Sequence, residues 1–354
     1  MVYSVTTLRR GHVEPYSETI RLSDHTIEIQ HLGCDDDLGV MAATVAELDG
    51  RVDAIALQGV ARDLRLDKAR VEHAEAARLF GAARKTVVVD GSGVRGAIER
   101  WAVRLVADAQ PGIWSRKRVL MTPGLNHSGL AQALGQYTET LRYADPVLYF
   151  ALPGAPGVGS VESLPAVAMP SLNQLRDYSF SRLFPAAGTP GHASSPKLFQ
   201  WADVLAGDIG AIRRYAPADL RRKIVVVEAA DEADVADLKA RGATAIITTM
   251  PPLGHELARF GAATFEACLV AIRPDPAASL TENTYLNLMA DMEWQPGVKF
   301  LQPEEAELNR FAFVIHPLST RFIHKHPAFR WTRFLPDTLV ERVAAHLPPM
   351  YLGR

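Results

Sequence analysis

Cysteine is scarce in this 354-residue chain: there are two, Cys34 and Cys268, and no C-x-x-C pair. That spacing excludes a cysteine zinc knuckle and a disulfide framework, and both thiols read as small packed apolar groups. Charge of one sign is also missing. Against a formal net charge of −2, neither nucleic acid nor an anionic membrane is an expected partner. No apolar run approaches the roughly 18 residues a membrane span needs. The first ten residues carry Arg9 and Arg10 with no apolar run behind them, which is not the pattern of a signal peptide. A cytoplasmic address is therefore expected by elimination. Also missing are the G-x-S-x-G elbow, H-E-x-x-H and the kinase signature set. His316, His324 and His326 lack a carboxylate partner in sequence, so no metal site is expected of them.

What is present is ordinary globular material, 48% apolar and 22% charged, in a chain long enough for two lobes. Short runs rich in Val, Ile and Thr at 2–8, 18–22 and 26–31 read as strands. Asp35, Asp36 and Asp37 then open a helix over 38–48, where acidic residues suit the helix dipole. Strand and helix alternate from there. Strands are expected at 53–57, 86–89, 118–121, 139–143, 204–206, 224–227 and 245–248; helices at 68–80, 94–109, 128–137, 232–241 and 264–272. Between 146 and 196 prolines and glycines interrupt the pattern while apolar residues persist, as in a lid, binding loop or docking surface. The expected fold is α/β: a Rossmann-like, mainly parallel sheet with helices on both faces, in one or two α/β lobes, plus a short C-terminal extension. The boundaries read as lobes 1–112 and 113–273, a proline-bearing linker 274–309 and an extension 310–354.

Two strand–turn–helix junctions suit an anionic cofactor. Gly91, Ser92, Gly93 and Gly96 follow a strand and open a helix, matching G-x-G-x-x-G; the alternative is a tight structural turn. Gly124, Asn126, His127, Ser128 and Gly129 form the second. Asp145 lies about twenty residues on, where a ribose-binding acid would sit. The alternative there is that Asp145 and Pro146 simply make a turn. Asp208 stands at a strand's carboxyl end, either as an acid/base group or as the ion-pair partner of Arg213 or Arg214. Thr248 and Thr249 lie in a loop of the same kind. His127 and Asp208 are the candidate catalytic residues.

Gly207 and Asp208, the stretches 212–223 and 241–249, Phe260 and Gly261 before Glu266 and Ala267, and Asp90 to Gly93 followed by Glu99 and Arg100 resemble a bacterial family labelled quinate 5-dehydrogenase, over most of residues 1–272. That resemblance implies NAD or NADP as cofactor. The stretches 310–319 and 336–350 resemble the opening of bacterial long-chain acyl-thioester reductases, which make fatty aldehydes; the nucleotide-binding half and reactive cysteine of such enzymes have no counterpart here. Two readings result. One is an NAD(P)-dependent oxidoreductase acting on a small carbonyl or alcohol, or on an acyl-derived substrate. The other is a non-catalytic ligand-binding or regulatory module associated with an acyl reductase, as partner or as fusion. A scaffold in which every glycine turn is structural is a third. Assembly as a homo-oligomer is left open.

Overall fold

The computed structural model describes residues 2–152, 159–185, 196–275, 281–289 and 294–302. The chain divides into a unit of residues 1–299 and a second of residues 300–354, of which only 300–302 are described. The expected extension 310–354 thus lies outside the described residues.

The first half runs β1 (Val2–Arg9), β2 (Tyr16–Leu22), β3 (His25–Gly33), α1 (Leu38–Leu48), β4 (Ala54–Gln58), β5 (Asp63–Leu66), β6 (Ala69–Glu72), α2 (Ala76–Phe80), β7 (Val87–Val89) and α3 (Arg95–Ala109). Its sheet has the order β2-β3-β1-β4-β7, parallel except for β2 at the edge. In β4, Ile55 and Leu57 face one core while Ala54 and Ala56 face the other, so the strand is buried on both sides. Asp37 caps α1, its carboxylate accepting from the Gly39 and Val40 amides.

The second half runs β8 (Val119–Thr122), α4 (Ser128–Gly135), β9 (Leu141–Tyr143), α5 (Asp145–Phe150), α6 (Leu164–Leu175), α7 (Phe180–Leu183), α8 (Pro196–Trp201), β10 (Val204–Gly207), α9 (Ile209–Tyr215), β11 (Ile224–Val227), α10 (Glu232–Ala240), β12 (Ala245–Thr248), α11 (Ala262–Ile272), α12 (Glu282–Met289) and β13 (Gly297–Phe300). This sheet has the order β13-β12-β11-β10-β8-β9, and β12 through β9 are parallel. The fold is thus α/β with two parallel-rich sheets, as expected. No helix among the described residues is long and apolar enough to cross a membrane.

In each sheet the chain lays its second parallel strand on one side of the first and its third on the other. The reversal falls between β1 and β4 in one sheet and between β8 and β10 in the other. Such switch points open a crevice at the carboxyl ends of the strands.

Two local expectations are corrected. The helix expected at 68–80 is instead β6 followed by the short α2. Asp67, with φ of 53°, turns the chain so that β6 pairs with β5 as an antiparallel hairpin. The stretch 146–196, expected to be irregular, is helical over much of its described length. Three of its prolines mark helix starts: Pro146 and Pro165 lie in the first turns of α5 and α6, where a missing N–H costs nothing, and Pro196 begins α8, while Pro170 lies inside α6. Helix α11, placed from sequence in the lobe 113–273, packs on β1, β4 and β7 of the first sheet. Nearly every α11 side chain is buried, as its almost uninterrupted apolar sequence requires.

Helices α3 and α4 cross at their glycines. A Cβ on Gly129 would lie 2.6 Å from the Cα of Gly96, whereas one on exposed Gly135, in the same helix, would meet nothing within 4 Å. Gly129→Ala is expected to cost about 2 kcal/mol through overpacking. Gly135→Ala is expected to be neutral or stabilising by roughly 0.5 kcal/mol, since it only removes glycine's unfolded-state freedom. Urea unfolding of both variants checks this; equal losses would contradict the close crossing.

Candidate functional site

The carboxyl edges of the two sheets meet. Arg10, just past β1, donates to the Gly59 and Phe184 carbonyls, pairs with Asp36, and feels the charge of Asp208, which follows β10. Arg95, at the start of α3, pairs with Glu228, which follows β11. His127, after β8, bonds through Nδ1 to Glu99 of α3 at 2.6 Å. The seam holds buried or half-buried carboxylates at Asp90, Glu99, Asp145, Asp208, Glu228 and Glu266.

Most of these acids serve the chain's own backbone. Asp145 accepts from the Gly124 amide at 2.7 Å and the Leu125 amide at 2.9 Å. Glu99 accepts from Leu130 N at 2.9 Å, and Glu228 from Ala262 N at 3.0 Å. Asp90 takes Ser92 N at 3.0 Å and Arg62 N at 2.7 Å, while Glu266 takes Gly93 N at 3.4 Å. Asp208 caps α9 through Ala211 N at 2.7 Å. The ion pair considered for it is therefore corrected: Arg213 goes instead to Asp234 and Asp237.

Burial dominates the electrostatics. It pushes the Asp145 carboxyl up to about 6 and Glu266 up to about 7, against the pull of the amides they accept from. Burial also raises Asp208, with the Ala211 amide opposing. For Glu228 the charges of Arg95 and His127 outweigh burial and hold the group below its usual value. Burial lowers His127, but Glu99, by charge and hydrogen bond, more than compensates, and the net shift is upward.

The residues singled out from sequence all stand at these edges, in turns packed against protein. Gly91 has φ of 87°, and a Cβ there would lie 2.6 Å from Ala263 N; one on Gly93 would strike Tyr285, whose hydroxyl donates to Glu266 at 2.6 Å. A Cβ on Gly124 would enter the Tyr143 ring. Asn126 (φ 64°) exchanges two bonds with the Arg65 backbone, Oδ1 accepting from its N–H at 2.7 Å and Asn126 N donating to its carbonyl at 2.8 Å; it therefore anchors β5. Ser128 is the first residue of α4, whose N-cap, His127, makes no side-chain cap bond. Thr248 Oγ1 accepts from Ala258 N at 2.9 Å, and Thr249 is fully buried, its hydroxyl without a partner among the described residues. Sequence reasoning did not assign a role to Glu99, Arg95, Glu228, Glu266 or Arg10. Two of these carry a legible signal. Glu99 occupies a core position of α3, in register with Ala102, Val103 and Val106, and Glu266 is the one charge in α11.

Residues 93–301 match the family model described as a domain of unknown function, DUF8754, and the chain belongs to that family. Residues 11–90 match a second domain of unknown function, DUF8753. No curated protein matches. Among solved structures the chain is similar to GanP, a glucose-galactose binding protein from Geobacillus stearothermophilus, at 11% identity, covering 86% of this chain and 99% of that one, with a TM-score of 0.35. It is also similar to a solute-binding protein from Burkholderia graminis in complex with D-arabinose (9% identity, 86% and 96% coverage, TM-score 0.33). A third is a solute-binding protein from Agrobacterium vitis bound with alpha-D-tagatopyranose (11%, 86% and 98%, 0.33).

The expectation of an NAD(P)-dependent oxidoreductase is corrected. The physical reason lies in the turns. The amides of Ser92, Gly93, Gly124 and Leu125, which a dinucleotide pyrophosphate would need, are bound by Asp90, Glu266 and Asp145. Asp145→Ala, which orphans two buried N–H groups, is expected to destabilise the fold by about 2–4 kcal/mol. Asp145→Asn should recover part of that loss, as denaturant melts would record. An unchanged midpoint for Asp145→Ala would contradict the capping role.

Proposed function

We propose that the chain is a non-catalytic ligand-binding module that receives a small polar molecule, rich in hydrogen-bond donors, where the carboxyl edges of its two sheets meet. The observation that carries this reading is the excess of acceptors in the seam. Six carboxylates stand there against Arg10, Arg95 and His127, and Asp208 and Glu228 keep part of their surface open. Both sheets bring a switch point to that place, the usual location of ligand crevices in open α/β sheets.

The two residues first considered for catalysis are committed elsewhere. His127 is held by Glu99, and Asp208 is spent on the first turn of α9. The regulatory side of the proposal, association with a long-chain acyl-thioester reductase, rests on the resemblance of residues 310–354 alone.

Thermal-shift titrations with monosaccharides, amino alcohols and polyamines test the binding reading. At least one of these classes should raise the melting temperature in a saturable way, and Asp208→Asn should weaken that ligand about tenfold. No shift with any class, or equal binding by the variant, would overturn it.

A further inference from the structure

We propose that Glu99, His127 and Glu228 form a binding site for one divalent transition-metal ion of the zinc or ferrous-iron class. The three residues come from three separate elements: α3, the turn after β8 and the loop after β11. Each places one ligand atom within 4.8 Å of the others, close enough for a shared ion after small side-chain adjustments. One imidazole with two carboxylates is a donor set that suits zinc and non-haem iron.

The backbone already orients both acids. Glu99 gives Oε2 to Leu130 N, leaving Oε1 toward His127; Glu228 gives Oε2 to Ala262 N, leaving Oε1 toward Arg95. Each carboxylate thus spends one oxygen on a main-chain amide and keeps the other in the cluster. This is the support that outer partners give to metal ligands. His127 is only 6% exposed, and its imidazole is held through Nδ1 by Glu99.

Arg95 is the present neutraliser of Glu228, and it does not depend on that contact alone. Its Nη2 also donates to the Asp90 carbonyl at 3.3 Å, and the carboxylates of Asp90 and Glu99 act on its charge. Its guanidinium can therefore turn toward Asp90 when an ion takes Glu228. With Asp90, Asp145, Asp208 and Glu266 nearby, a divalent cation lowers the acidic excess of the seam rather than adding uncompensated charge. This site lies within the seam of the small-molecule reading and uses three of its groups, but its test reads the ion and not that molecule.

The test uses the full chain, stripped with a chelator and titrated with Zn2+ by calorimetry. One equivalent should bind, and the melting temperature should rise by several degrees. His127→Ala and Glu228→Gln should each weaken binding at least 100-fold. His12→Ala, which alters the exposed His12–Asp35 pair, should leave it unchanged. X-ray absorption on the zinc-loaded unmutated chain, which does not rely on any variant folding, should show nitrogen and oxygen neighbours including one imidazole. Absence of stoichiometric binding overturns the proposal. So does binding that persists in His127→Ala or is lost in His12→Ala, or an absorption spectrum without imidazole.

Discussion

The structure depends on buried carboxylates that satisfy backbone amides at the carboxyl edges of two parallel sheets. Turns and helix starts there leave N–H groups that water cannot reach, and each orphan would cost about 1–3 kcal/mol. Asp145, Glu99, Glu228 and Glu266 meet that demand from elements distant in sequence, and Asp90 and Asp208 also serve amides two and three residues on. Because Glu99 lies on α3 while its amide partner Leu130 lies on α4, and Glu228 follows β11 while Ala262 opens α11, these bonds also bind one sheet's surroundings to the other's. Satisfying the backbone and joining the halves are the same act.

That arrangement decides the functional reading. A glycine turn at a helix start attracts phosphate when its amides are free. Here the acids of the chain occupy the position an anion would take. Cofactor chemistry through these turns loses its basis, while the same acids make the seam an acceptor-rich place for donors or a cation. The upward shifts of Asp145 and Glu266 express the cost of gathering so many carboxylates out of water.

Much of the fold was legible because it is written in local pattern. The apolar runs 204–206, 224–227 and 245–248 became adjacent parallel strands, and Asp37 capped α1 where the acidic run foretold a helix start. The hairpin of β5 and β6 was not legible, since Lys68 to Phe80 carries apolar residues at helical spacing and only the turn at Asp67 reveals the pairing. Likewise, proline density over 146–196 suggested irregular chain, although Pro146 and Pro165 sit where proline favours a helix start. The candidate site was half legible. Sequence placed Gly124, His127, Asp145 and Asp208 at strand ends, but spacing alone cannot tell an acid that binds ribose from one that binds its own backbone. That distinction belongs to the tertiary fold, which sets Asp145 against the Gly124 and Leu125 amides.

Hydrogen exchange resolved by residue addresses the central claim most directly. The amides of Gly124, Leu125, Leu130 and Ala262 should exchange as slowly as the central strands β8 and β10, because each is bound to a buried carboxylate. Exchange at the rate of an open loop, with the strands still protected, would show that these amides are free and would contradict the account.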